Sequence, residues 1–109
     1  SSRNVTIGGA MAQTPFTLAD TATAVLGATT MLGKLTVTAK TDNAVAEFQI
    51  RGSNNVTTEL SDPQGLFSIA VGTGSSTNIY WDAGSTSYLI QNLRGGSREY
   101  YITFSGTYT

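Results

Sequence analysis

The chain has 109 residues, 39% of them hydrophobic and 12% charged, with no Cys, no His and a formal net charge of −1. Without Cys there is no disulfide framework, thiol nucleophile or zinc ribbon, and without His no Ser-His-Asp triad, imidazole base or usual transition-metal ligand set. The near-neutral balance gives no field to draw the chain to nucleic acid or an anionic membrane, so neither is expected as a partner, and an enzyme, a metal or a cofactor is not expected either.

Taken in chain order, Asn4 to Ile7 reads as an edge strand ending at Gly8-Gly9, and Thr14 to Leu18 as a second that Pro15 confines to an edge position. Residues 1–18 are together a candidate extended N-terminal arm. From Ala19 to Met31 the Ala- and Thr-rich chain shows no helical stripe. Asp20 can cap a single turn over Thr21 to Ala24, or the segment is an arm or ordered loop.

From residue 34 onward period-2 alternation dominates, the mark of half-buried strands. Leu35, Val37 and Ala39 alternate with Lys34, Thr36, Thr38 and Lys40; Ala46, Phe48 and Ile50 alternate with Glu47, Gln49 and Arg51. Val56 to Leu60 forms another strand, and Ser61-Asp62-Pro63-Gln64-Gly65 is a strong turn signal. Leu66 to Val71 reads as a short, largely buried strand closed by the loop Gly72 to Ser76. Asn78 to Asp82, Ser87 to Leu93 and Glu99 to Ser105 follow, and Gly95-Gly96 favours a hairpin between the last two. Asp42, Asp62 and Asp82 open turns at an even spacing of 20 residues, a meander or Greek-key rhythm.

The expected fold is all-β: a single-domain β-sandwich or jelly roll of about seven to nine antiparallel strands. Its surface is unusual. Thr and Ser number 18 and 11, more than a quarter of the chain, and the charged share is about half that of an average globular domain. Such a coat suits a protein packed against copies or partners, or an exported adhesin or pilin. No run reaches the ~18 apolar residues that span a bilayer, and the N-terminus lacks the pattern of a signal peptide.

Chemistry has few places to sit. The acids Asp20, Asp42, Glu47, Glu59, Asp62, Asp82 and Glu99 fall in turns or on polar strand faces, where solubility and turn hydrogen bonds account for them. No calcium-loop spacing occurs, and Gly72 to Ser76 lacks the Gly-Lys-Ser/Thr and the helix of a phosphate loop. Asn4-Val5-Thr6 and Asn55-Val56-Thr57 match the N-glycosylation pattern. In the C-terminal strands, Ile79 with Trp81 and Tyr100 with Ile102 and Phe104 form the apolar rows, which sends Tyr80 and Tyr101 outward. Outward Tyr on a low-charge sheet suits a protein contact or a sugar platform. Arg94 and Arg98 flank the last turn, where guanidiniums can fork onto carboxylates across an interface. Tyr80, Tyr101, Arg94 and Arg98 are therefore the candidate protein-interface residues.

Asn78-Ile79-Tyr80-Trp81-Asp82, Tyr88-Leu89-Ile90-Gln91-Asn92-Leu93 and the Gly-Gly-Ser turn leading to Glu99-Tyr100-Tyr101-Ile102-Thr103-Phe104 carry a resemblance. This run of thirty to forty residues resembles, in texture, the closing strands of small all-β virion proteins of tailed bacteriophages, including capsid decoration (cement or stapling) proteins. The resemblance implies a protein folded in the host cytoplasm that binds the lattice of major capsid protein on the capsid exterior, often as a dimer or trimer, with no catalysis. The alternative is an extracellular carbohydrate-binding or adhesin module in which Tyr80, Trp81 or Tyr101 stacks on sugar; a buried Trp81 favours the structural reading. A pilin-like subunit would show an unpaired groove.

Overall fold

The structure, a computed structural model, describes residues 9–12, 15–27 and 31–107. It is a β-sandwich. One sheet runs β1 (Gly9–Ala12), β10 (Arg98–Thr107), β4 (Leu32–Ala39), β5 (Ala44–Arg51), β6 (Val56–Ser61), with β2 (Phe16–Leu18) also on β10. The other runs β3 (Thr23–Gly27), β9 (Ser87–Asn92), β8 (Thr77–Asp82), β7 (Phe67–Ser68). We call them the large and the small sheet. All pairings are antiparallel except β7 with β8, a short parallel step.

Alternation builds the core as the sequence predicts. Leu35, Val37 and Ala39 of β4, Ala46, Phe48 and Ile50 of β5, and Tyr100, Ile102 and Phe104 of β10 are all buried on one face of the large sheet. Leu26, Phe67, Ile79, Tyr88 and Ile90 meet them from the small sheet. Each such large side chain contributes about 1.5–3 kcal/mol by leaving water. Phe48 and Phe67 touch edge-on across the gap, with ring centroids 6.0 Å apart. A polar link crosses it too: the Thr77 and Tyr100 hydroxyls share a buried hydrogen bond of 2.6 Å.

That link gives a first prediction. Tyr100→Phe leaves the Thr77 hydroxyl buried and unpartnered and is expected to cost about 1–2 kcal/mol in urea unfolding. Adding Thr77→Val should recover part of the loss, because removing both partners leaves no orphan.

Four expectations are corrected. The segment from Ala19 to Met31 holds a strand: a turn closed by Ala22 N–H on Ala19 O leads into β3, which pairs with β9. The candidate arm over residues 1–18 is, at positions 9–12 and 16–18, two strands lying end to end along β10, the second of them the edge strand expected at Thr14 to Leu18, because ten-residue β10 offers an edge longer than either. The expected strand at Asn4 to Ile7 lies outside the described residues. Leu66 to Val71 pairs only at Phe67 and Ser68; beyond them Ser68 Oγ accepts from Ala70 N–H and binds the Thr73 hydroxyl, turning the chain out so that Ile69 and Val71 are exposed.

Finally, Gly95-Gly96 makes no hairpin. β9 lies in the small sheet and β10 in the large one, so residues 93–97 cross between sheets. Buried Asn92 holds this corner. Its Nδ2 donates to Leu18 O (3.0 Å), Ala19 O (3.3 Å) and Gly96 O (2.8 Å), and its Oδ1 accepts from Arg94 N–H at 3.0 Å. One amide thus ties the β2–β3 connection to the β9–β10 crossover.

Candidate functional site

The three evenly spaced aspartates all serve turns. Asp62 accepts from the backbone N–H groups of Leu66 and Phe67, both at 3.2 Å. Asp82 accepts from Ser85 N–H and its hydroxyl at 3.0 and 2.7 Å. Asp42, in the β4–β5 turn, takes both arginines of the crossover. Arg94 donates from Nε to Oδ2 at 3.0 Å and from Nη2 to Oδ1 at 3.3 Å, and Arg98 Nε lies 3.0 Å from both oxygens. Arg94 Nη1 also reaches Ser75 O at 2.7 Å, bringing in the loop before β8. Burial by itself would raise the Asp42 carboxyl, but hydrogen bonds and charge from the two guanidiniums outweigh it and hold the group below its ordinary value. Arg94 and Arg98 are thus joined by a carboxylate of their own chain, and little of their charge is presented outward.

The remaining two candidates part company. Tyr80 points away from the core, as its alternation with Ile79 and Trp81 requires, yet it is only 7% exposed. It sits opposite Leu89 on β9 and beside the displaced segment Ile69 to Val71. Tyr101 is 37% exposed on the outer face of the large sheet, in a cross-strand row with Thr38 and Val45.

That outer face carries more than the sequence reading marked. Leu32 (56% exposed), Leu60 (50%) and Val45 (44%) all lie on it. Leu32 and Leu60, with Lys34, Gln49 and Arg51, line a shallow groove of about 640 Å³. Val45 and Leu32 follow from the alternation that sends Ala44, Ala46 and Leu35 inward. Leu60 shares the outward parity of Val56 and Thr58 on β6, next to the register shift opposite Glu47 and Phe48. Between these apolar residues the face is Thr, Ser and Gln, with exposed Arg51 in the groove and two exposed ion pairs, Lys34 to Glu47 at 3.4 Å and, at the end of the face, Lys40 to Glu99 at 3.9 Å.

Two other chemistries gain little geometry. Trp81 is half-buried, packs against the core and meets Tyr88 edge-on at 5.0 Å, while Tyr101 is on the other sheet, so the three aromatics share no platform for a sugar. In the loop from Gly72 to Ser76, Gly72 N–H is taken by Gln91 Oε1 and Thr73 O by Asn78 Nδ2. Among the described residues no group of three or more Asp or Glu converges as a metal site. Glu59 is raised from its ordinary value by burial and then by the charge of Asp62, but Glu59 is exposed on edge strand β6 and Asp62 is engaged in the turn that follows it. Among the same residues no helix is long and apolar enough to cross a membrane.

The fold and this face together define an all-β sandwich with a partly apolar outer sheet. Comparison with protein-family models, curated proteins and solved structures finds no match for the chain.

Proposed function

We propose that the protein is a structural, non-enzymatic subunit that decorates and stabilises a bacteriophage capsid by lying across neighbouring capsid subunits. The observation that supports this most is the outer face of the large sheet, where Leu32, Val45, Leu60 and Tyr101 are exposed among Thr, Ser and ion-paired side chains. A monomer with no partner gains nothing from four large apolar groups on one sheet face. A partner surface that covers them gains their burial, and Tyr is over-represented among the residues that dominate such contacts. Repetition on a lattice multiplies a modest single contact, since one seated copy raises the effective concentration of whatever is linked to it.

The test is co-sedimentation of the purified chain with empty expanded shells assembled from major capsid proteins of tailed phages. Saturable binding at a fixed ratio to capsid subunits is expected, with weak dependence on salt because Lys34 and Lys40 on the face are already paired with Glu47 and Glu99. The double variant Leu32→Asp/Tyr101→Asp should bind at least tenfold more weakly, which corresponds to about 1.4 kcal/mol. Failure to bind any shell overturns the reading.

A further inference from the structure

The sandwich has strand edges that differ in how they are guarded. Proteins protect free edges with charges, bulges or short strands, because unpaired N–H and C=O groups recruit other chains. β6 has a register shift and Glu59; β3 has a shift between Val25 and Gly27. β8 has neither along Ile79-Tyr80-Trp81. Its ladder with β7 stops at Asn78, and among the described strands none pairs with Ile79–Asp82 on that side. Thr77 N–H reaches Leu66 O across this edge, so by the two-residue period the backbone groups of Ile79 and Trp81 face the same way.

Where β7 ends, a cleft of about 370 Å³ opens, lined by Asn55, Thr57, Ile69, Val71, Tyr80 and Trp81. Ile69 and Val71 are 44% and 62% exposed on its rim. Thr57, nine-tenths buried, lines the cleft with a hydroxyl that has no hydrogen-bond partner. An apolar cleft beside an open ladder fits an extended peptide, with backbone bonds to β8 and alternate side chains turned inward.

We propose that this edge receives residues Asn4 to Ile7 of a second copy of the chain. In that segment Val5 and Ile7 alternate with Asn4 and Thr6, so one face is branched and apolar and the whole is uncharged, as are Ile79, Tyr80 and Trp81 of the edge it would join. Four residues match the open stretch Ile79–Asp82, about 13 Å of strand. Geometry excludes the chain's own cleft. Gly9 stands in a cross-strand row with Gly106, Gly33, Ile50 and Thr57, so the cleft-lining Thr57 is four strand spacings away, about 19 Å. Ile7 is two residues before Gly9 and reaches no farther than about 7 Å from it. Donor and acceptor therefore sit on opposite edges, and the contact is head-to-tail, closing into a ring or running on as a chain.

The experiment uses full-length variants in sedimentation velocity. Val5→Asp/Ile7→Asp removes the donor, and Ile69→Asp/Val71→Asp removes the acceptor at exposed positions. The unmodified chain is expected to self-associate, and each double variant alone to run as a monomer with an unchanged urea midpoint. Mixed together, the two variants should give a 1:1 dimer and nothing larger, since the only intact donor meets the only intact acceptor. A monomeric unmodified chain, a mixture that stays monomeric, or a donor variant that assembles normally would overturn the proposal. None of these outcomes depends on capsid binding, so either reading can fail without the other.

Discussion

Asp42→Ala is expected to destabilise the fold by about 3 kcal/mol, the low end of the cost of removing one partner from a buried charge cluster, because these groups retain some contact with water. The carboxylate binds Arg94 and Arg98 at once, so its removal leaves two mostly buried guanidiniums side by side with no counter-charge. It also detaches three segments together: the β4–β5 turn, the crossover from β9 to β10, and through Ser75 the loop before β8. Arg98→Ala should cost less, since Arg94 still satisfies Asp42.

The pH dependence has a definite sign. The Asp42 carboxyl is held below its ordinary value of 3.8 in the fold, so on acidification the unfolded chain takes up the proton first. Stability from this group is fully present above the unfolded value and is lost as pH falls through the folded one. Urea midpoints of the native chain and the Asp42→Ala variant should therefore differ most at neutral pH and converge in strong acid. A gap that stays constant from neutral pH down to strong acid would show that the carboxylate charge plays no part.

The same cluster shows where sequence reasoning stops. Two arginines around a Gly-Gly turn suit a carboxylate, and that chemistry was legible; its carboxylate is 52 and 56 residues away in the same chain, a choice that local pattern does not encode. Nor does Gly95-Gly96 distinguish a hairpin from a crossover: Asn92, through bonds to residues 73 and 74 positions earlier, decides it. Strands β4, β5 and β10 were readable because bulky apolar residues alternate there with Thr, Lys and Gln. β3 was not, because Thr23-Ala24-Val25-Leu26-Gly27 puts apolar groups on both faces and the two-residue period has no contrast. Leu66 to Val71 failed the opposite way: a continuous apolar run looks like a buried strand, but Ser68 and Thr73 hydrogen-bond the chain out of the sheet after Ser68. The outward Tyr101 was read correctly from its neighbours, whereas the cover over Tyr80 comes from that displaced segment.

The second large effect is expected at the glycine pair between β4 and β10. Gly33 and Gly106 are register partners, and their backbones approach so closely that neither strand has room for a Cβ. One added at Gly33 would fall on the Ser105 carbonyl oxygen and lie 2.7 Å from Gly106 Cα; one added at Gly106 would fall on Leu32 O and lie 2.7 Å from Gly33 Cα. The obstructing atoms are backbone, so no rotamer change relieves the overlap and the strands themselves must separate. Gly33→Ala and Gly106→Ala are each expected to cost about 3 kcal/mol, the upper end of the usual range for overpacking, with the double variant unfolded or nearly so. Gly74→Ala is the control: its Cβ would meet nothing within 4 Å, and the change should stay within about 0.5 kcal/mol. Because Gly33 also lines the groove between Leu32 and Leu60, a separation of β4 from β10 would deform the outer face as well. Shell binding by either Ala variant should therefore fall even below its thermal transition. Unfolding midpoints equal to that of Gly74→Ala would show that the two strands can part at no cost.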